Sequence, residues 1–312
     1  MSFAAIFPGQ GSQAVGMLGS FLKSYPQAKH TFTEASESLG YDLWTLSQQG
    51  PEERLNATEC TQPALLAAGV AVWRVWQAQG GSQPAFLAGH SLGEYTALVC
   101  TGVLDFQTAV KLVEFRGQVM QQAVPAGTGA MAAILGLEDA AVKAACYQAA
   151  QGQVVEAVNF NAPGQVVIGG HKTAVERAME ICKAAGAKRA IPLPISAPSH
   201  CSLMMPAAAQ LASRLAGIAI NTPTIPVIQN VDVAIHDKAD EIRTALKTQL
   251  HSPVRWVQTV QSLAGRGVTL LVEMGPGKVL TGLVKRIDKT LAAYPVYDPA
   301  SLEAALTAVK AP

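Results

Sequence analysis

The sequence predicts an α/β protein, a parallel sheet covered by helices on both faces and interrupted by a smaller antiparallel sheet. Two patterns carry this. Three times a short apolar run enters a glycine-rich loop and leaves into a helical pattern: "FAAIF" into "PGQGSQ", "AFLA" into "GHSLGEY" and "TLLVEM" into "GPGKVLTGLVKR". Between the second and third, starting at Gly129, the order of elements is β-α-β-β-α-β.

The three apolar runs lack the alternation of a half-exposed strand, so they read as parallel strands buried on both sides. Ligands bind such sheets at the carboxyl ends of the strands, which gathers the three glycine loops on one edge. The inserted segment runs "AMAAILG", "LEDAAVKAACYQAA", "QVVEAVNFN", a turn at "APG", "QVVIGG", "KTAVERAMEICKAAG" and "KRAIPLPIS". That succession is the ferredoxin-like one. After it, "CSLMMPAAAQLASRLAG" resumes a helix and "IPVIQNV" a strand. The core is therefore expected over 1–126 and 199–312, the insertion over 127–198, with the tail "VKAP" fraying.

A chain of 312 residues, 49% hydrophobic and 14% charged, can bury a large core. A net charge of +1 supplies no field that would draw it to nucleic acid or an anionic membrane. Five scattered cysteines (Cys60, Cys100, Cys146, Cys182, Cys201) form no CxxC, which argues against a disulfide framework or zinc site and fits a reducing cytoplasm. "MSFAAIFPGQGSQ" lacks the basic start of a signal peptide. The most apolar stretch, "PALLAAGVAVWRVW", meets Arg74 before the roughly 20 residues of a membrane span.

Gly89-His90-Ser91-Leu92-Gly93 fits G-x-S-x-G, the nucleophile-elbow pattern, between a strand and a helix. On such a turn the Ser91 hydroxyl is exposed above a helix N-terminus and the Leu92 N–H points to a developing oxyanion. The competing reading makes Ser91 a helix cap. Among six histidines, His90 is too close in sequence to face Ser91, His171 opens a helix, and His30 and His236 lie in polar surroundings. His200, in a proline-stiffened loop where the insertion rejoins the core, is the candidate base, with a purely structural histidine as the alternative. No Asp or Glu lies between Ile181 and Val231, so a triad acid is missing; a Ser–His dyad oriented by a backbone carbonyl fits at least as well as a distant acid.

Arg116 lies on the helical pattern "DFQTAVKLVEFRGQVMQQAVP" among Leu112, Val113, Val119 and Met120. An arginine on an apolar face needs a carboxylate or phosphate partner. A protein acid, escape to water, or a substrate carboxylate would each serve. "PGQGSQ" also matches G-x-G-x-x-A, but the following "QAKHTFTEAS" reads as helix, not the second strand of a dinucleotide site. "GPGK" lacks the Walker spacing.

Together "FPGQGSQ", "YDLWTLSQQGP", "TQPALLA", "GHSLGEYTALV", "FRG", "EAVNFNAPGQVVI", "PSHCSLM" and "EMGPGKVLTGLVKR" resemble, end to end, the malonyl-CoA:acyl carrier protein transacylase family of bacterial fatty-acid synthesis. The resemblance implies a hydrolase-like core with a ferredoxin-like insertion. It implies Ser91 as nucleophile, His200 as its base, Arg116 as clamp for the malonyl carboxylate, and the N–H groups of Gln10 and Leu92 as oxyanion hole. It also implies that the Gln249 carbonyl orients the histidine, that Asn161 lies near the substrate, and that Leu92 after the serine goes with malonyl selection. The expected partners are acyl carrier protein and a coenzyme A thioester. No cofactor is bound, malonyl-CoA and the phosphopantetheine thiol being substrates, and a monomer is expected. The acidic carrier protein calls for basic residues near the mouth, with Lys278, Lys285 and Arg286 as candidates. The alternatives are a serine hydrolase that releases free acid, or a non-catalytic carrier-binding module.

Overall fold

The structure, a computed structural model, describes residues 2–125, 127–195 and 197–310. The expected segment end at Ala126 and the last two tail residues, Ala311 and Pro312, lie outside them. Strands β1 (Phe3–Phe7) and β2 (Phe86–Gly89) precede the insertion, which carries β3 (Gly129–Leu135), β4 (Val155–Ala162), β5 (Gln165–His171) and β6 (Arg189–Pro192). Strands β7 (Val227–Ile228), β8 (Leu270–Met274) and β9 (Ala292–Val296) follow it.

The core sheet has the order β7-β2-β1-β8-β9, and every pairing in it is parallel. All five residues of β1 and of β8 are buried, because apolar clusters cover both faces. The larger cluster is built on helix Thr58–Ala78, whose Leu66, Val70 and Trp73 pack with Phe3 and Phe7. Uniformly apolar strands are the sequence mark of that two-sided burial. The region after the first glycine loop forms helix Pro26–Leu39, so the second strand of a dinucleotide fold is absent there.

The insertion forms an antiparallel sheet, β4-β5-β3-β6, with helices Asp139–Ala150 and Lys172–Ala184. Ile134, Val142, Val166, Ile168 and Val175 fill the space between sheet and helices. Met131, Val158 and Val167 pack instead against Cys201, beside His200. This sheet therefore roofs the loop that returns the chain to the core. A short parallel bridge from Asn159 to Val254 joins it to the core, with Phe160 N–H donating to the Val254 carbonyl at 3.0 Å.

One expected strand is much shorter than its sequence suggests. "IPVIQNV" contributes only two residues, β7, because the chain turns at once: Gln229 N–H donates to the Ala234 carbonyl, and Asn230 N–H to the Glu94 carboxyl. Among the described residues no helix is long and apolar enough to cross a membrane, and no group of three or more His, Cys, Asp and Glu could hold a metal ion.

Candidate active site

The loops after β1 and β2 interlock at the carboxyl edge of the core sheet. A Cβ on Gly93 would fall 2.1 Å from the Phe7 carbonyl oxygen, and one on Gly89 would fall 1.9 Å from the Gly93 carbonyl carbon. Only glycine permits that crossing. Between them Ser91 sits at φ 51° and ψ −108°, a strained conformation for a non-glycine residue, at the head of helix Leu92–Cys100. Its side chain makes no capping bond. The hydroxyl instead lies 2.7 Å from Nε2 of His200, which removes the helix-cap reading.

His200 is buried, at φ 65°, in the loop before helix Met205–Ala216. Its Nδ1–H donates to the Gln249 carbonyl at 2.7 Å, which leaves Nε2 unprotonated and able to accept from the Ser91 O–H. The place of a triad acid is thus taken by a peptide carbonyl. Burial first, and the Arg116 charge second, push the His200 pKa down to about 3, so the imidazole stays neutral. The loop is fixed from two sides. His200 N–H donates to the Leu250 carbonyl at 3.0 Å, and Ser202 Oγ–H to the Glu156 carboxylate on β4 at 2.6 Å.

Arg116 is 1% exposed on helix Phe106–Ala123, which starts at an Asp105 cap accepting from the Gln107 and Thr108 N–H groups. The guanidinium donates to Gln62 Oε1 at 2.7 Å and Gln249 Oε1 at 3.0 Å, and its Nη2 lies 3.4 Å from Ser91 Oγ. The Tyr95 ring lies beneath it, 5.3 Å from centroid to guanidinium carbon. None of the ion pairs among the described residues involves it. Neither the protein-acid nor the solvent reading of this arginine therefore holds. Gly117 makes the placement possible, since a Cβ there would lie 2.6 Å from the Glu59 Cα. The helix can then press against the start of helix Thr58–Ala78, from which Gln62 reaches the guanidinium.

A serine hydroxyl on a neutral histidine, beside a buried cation with only neutral partners, suits acyl groups that carry a free carboxylate. Residues 5–300 match the acyl transferase domain family. The chain belongs to that family. It is 63% identical over 304 residues to the Escherichia coli K12 protein named malonyl CoA-acyl carrier protein transacylase, covering 97% of this chain and 98% of that one. The Bacillus subtilis protein of the same name is 45% identical over 308 residues, 98% and 97% of the two chains. A malonyl-transacylase solved in complex with its holo type II PKS acyl-carrier protein superposes with TM-score 0.98 at 59% identity, over 99% of this chain and 100% of that one. An acyl carrier protein S-malonyltransferase from Vibrio cholerae gives 0.96 at 64%, over 98% and 100%.

In this acyl transferase the remaining expected residues sit around the same edge. Leu92 is buried as the first residue of its helix, where a backbone N–H has no partner within the helix. Gln10 lies half-buried in the loop after β1, its side-chain amide 3.5 Å from the Thr58 hydroxyl. Asn161, on β4, accepts from His90 Nε2–H at 2.8 Å, and so ties the insertion to the elbow. Gln249 does more than orient the histidine. Its side chain links Arg116 to the Ser91 carbonyl, to which Nε2 donates at 3.0 Å.

Sequence reasoning missed Gln62, Glu94 and Asn230. Asn230 Oδ1 accepts from the Ser91 N–H at 2.7 Å, so that amide is not free for an oxyanion. The available signal was position: two amides, Gln229 and Asn230, directly at the carboxyl end of a buried strand.

Proposed function

We propose that the chain transfers a malonyl group from malonyl-CoA to the phosphopantetheine thiol of acyl carrier protein, through a malonyl ester on Ser91. The observation that carries this is the buried Arg116 guanidinium, with neutral partners only, 3.4 Å from the Ser91 hydroxyl oxygen. The names of the relatives agree with it.

His200 Nε2 takes the Ser91 proton as Oγ bonds to the thioester carbonyl carbon. The carbonyl oxygen becomes an oxyanion held by the Leu92 and Gln10 N–H groups, each donor contributing about 3 kcal/mol in the transition state. Collapse breaks the C–S bond, His200 returns the proton to the departing CoA sulfur, and malonyl-Ser91 remains with its free carboxylate on Arg116. The carrier thiol then gives its proton to His200 and attacks the ester. Serine leaves and recovers the proton. The group passes between two thiols of like energy, so the reaction runs in both directions.

Arg116 distinguishes malonyl from uncharged acyl groups, and the His90–Asn161 bond holds the insertion against the elbow. Lys278, Lys285 and Arg286 are exposed and offer positive charge to an acidic carrier protein. The enzyme acts as a cytoplasmic monomer without a cofactor; its five cysteines are free. A hydrolase releasing malonate is the reading to be tested against. Intact-mass measurement after mixing with malonyl-CoA should give a long-lived adduct, absent from Ser91→Ala and discharged by holo carrier protein. Rapid turnover to malonate in water would overturn the transfer reading.

A further inference from the structure

The Ser91 turn is strained, and the interlocked glycines allow that strain without enforcing it. What enforces it lies across the sheet. Because β7 runs parallel to β2 with Leu87 opposite Val227 and Ala88 opposite Ile228, the residues after β7 come level with the elbow. Asn230 is fully buried there, and all four of its polar atoms are used. Oδ1 accepts from the Ser91 N–H at 2.7 Å and Nδ2 donates to the Gly89 carbonyl at 2.6 Å. The backbone N–H donates to Glu94 Oε2 at 2.6 Å, and the carbonyl accepts from the Arg255 N–H at 3.3 Å.

One amide side chain therefore spans the turn, bonded two residues apart on either side of His90. Both bonded groups belong to the peptide units that set the entry to Ser91. The anchor is itself internal to the elbow, because Glu94 sits one turn into the helix that Ser91 begins. Strand end, nucleophile, helix and the β7 loop thus close into a single ring of hydrogen bonds. The Asn230 side chain bonds the backbone of Gly89 and Ser91 and makes no hydrogen bond to Ser91 Oγ or Arg116. A buried network of this kind holds one geometry when every member is satisfied.

We infer that Asn230, anchored by Glu94, is a positioning residue that holds the Ser91 turn in the conformation from which the hydroxyl meets His200 and the acyl carbon. It rests on the reading of Ser91 as the acylated residue. Arg116 is held by Gln62 and Gln249, not by Asn230, so loss of the strut lowers the rate of acylation and leaves capture of the malonyl carboxylate intact.

The test is rapid-quench acylation by malonyl-CoA and by acetyl-CoA, followed by intact mass, with Asn230→Ala and Asn230→Asp. Asn230→Ala is expected to acylate about 10- to 100-fold more slowly at saturation, by the same factor for both acyl groups, with KM for malonyl-CoA within about twofold. Asn230→Asp keeps the acceptor for Ser91 N–H but sets a carboxylate oxygen against the Gly89 carbonyl. Protonation restores the donor, so its rate relative to the unaltered enzyme should rise as pH falls from 8 to 5.5. Glu94, His200, Arg116 and Asp232 face the same region in both proteins and are common to that ratio. Acylation of Asn230→Ala within twofold of the unaltered rate, a loss confined to KM, or an Asn230→Asp ratio that is flat or falls toward acid overturns the inference. If the unaltered enzyme forms no Ser91 adduct, the reading of the reaction fails and takes the inference with it. If it acylates and Asn230→Ala keeps pace, the inference alone fails.

Discussion

Arg116 Nη2 stands 3.4 Å from Ser91 Oγ, and the guanidinium's hydrogen-bond partners are amide and hydroxyl oxygens, not carboxylates. A cation in that setting is desolvated but not neutralised, and on the proposed reading the carboxylate of the acyl group completes it. Hydrogen bonds to charged groups contribute about 1.5–3 kcal/mol each, and a bidentate pair supplies two. Arg116→Ala should lower kcat/KM for malonyl-CoA by about 10²- to 10³-fold while acetyl transfer changes by less than about tenfold. Steady-state kinetics with the two thioesters checks this. Equal losses would make Arg116 a packing residue.

The pH profile follows from the same neighbour. Burial and then the Arg116 charge hold the His200 pKa far below the ordinary imidazole value. The base form is therefore kept as pH falls through 6.5, and kcat/KM for acylation should stay flat there and decline only in stronger acid. Arg116→Gln removes the cation that opposes a second positive charge, so its acid limb should move upward toward 6.5. A shift of that limb in the other direction counts against the assignment.

Glu94 should be visible in stability. Its carboxyl is buried, and burial is the main cause of a pKa raised to about 8. The folded protein keeps a proton that the unfolded chain releases near 4.5. Fewer protons are bound unfolded than folded across that interval, so stability falls as pH rises through it. Oε1 has no hydrogen-bond partner among the described residues, which suits the neutral acid. Glu94→Gln mimics that acid at every pH. Its Tm should pull ahead of the unaltered protein between pH 5 and 9, measured by scanning calorimetry; a constant gap would show that Glu94 does not titrate in this range.

Gly93→Ala places a methyl 2.1 Å from the Phe7 carbonyl oxygen, a backbone atom that cannot rotate away. The first loop must retreat, and the Gln10 N–H retreats with it. Acylation should fall by at least about 10²-fold, the usual cost of one lost oxyanion donor. Gly282→Ala, where nothing lies within 4 Å of the added carbon, is the control expected to behave as unaltered protein in the same assay.

The parts legible in the sequence were local ones. An apolar run ending in glycine gave β1, β2 and β8, and G-x-S-x-G gave the elbow because strand, turn and helix are contiguous. Arg116 stood out because a charge on an apolar helix face is anomalous by itself. Its partners were not legible. Gln62 and Asn230 are ordinary amides whose meaning depends on a helix crossing at Gly117 and on the β7–β2 register, and neither is written in the neighbouring residues. The β7 strand was expected to be longer because "IPVIQNV" is apolar, but Glu94 and Ala234 claim the backbone groups that would have extended its ladder.

The bonds that complete the serine turn reach 109 residues forward to His200, 139 to Asn230 and 158 to Gln249. At a synthesis rate of about 5–20 residues per second, the last of these leaves the ribosome roughly 10–30 s after the serine does. Until then the growing chain displays the Ser91 hydroxyl without the full set of groups that hold it, His200 following first, Asn230 next and Gln249 last. The serine turn is thus completed late, once Asn230 and Gln249 from the chain's final third have folded back onto its first.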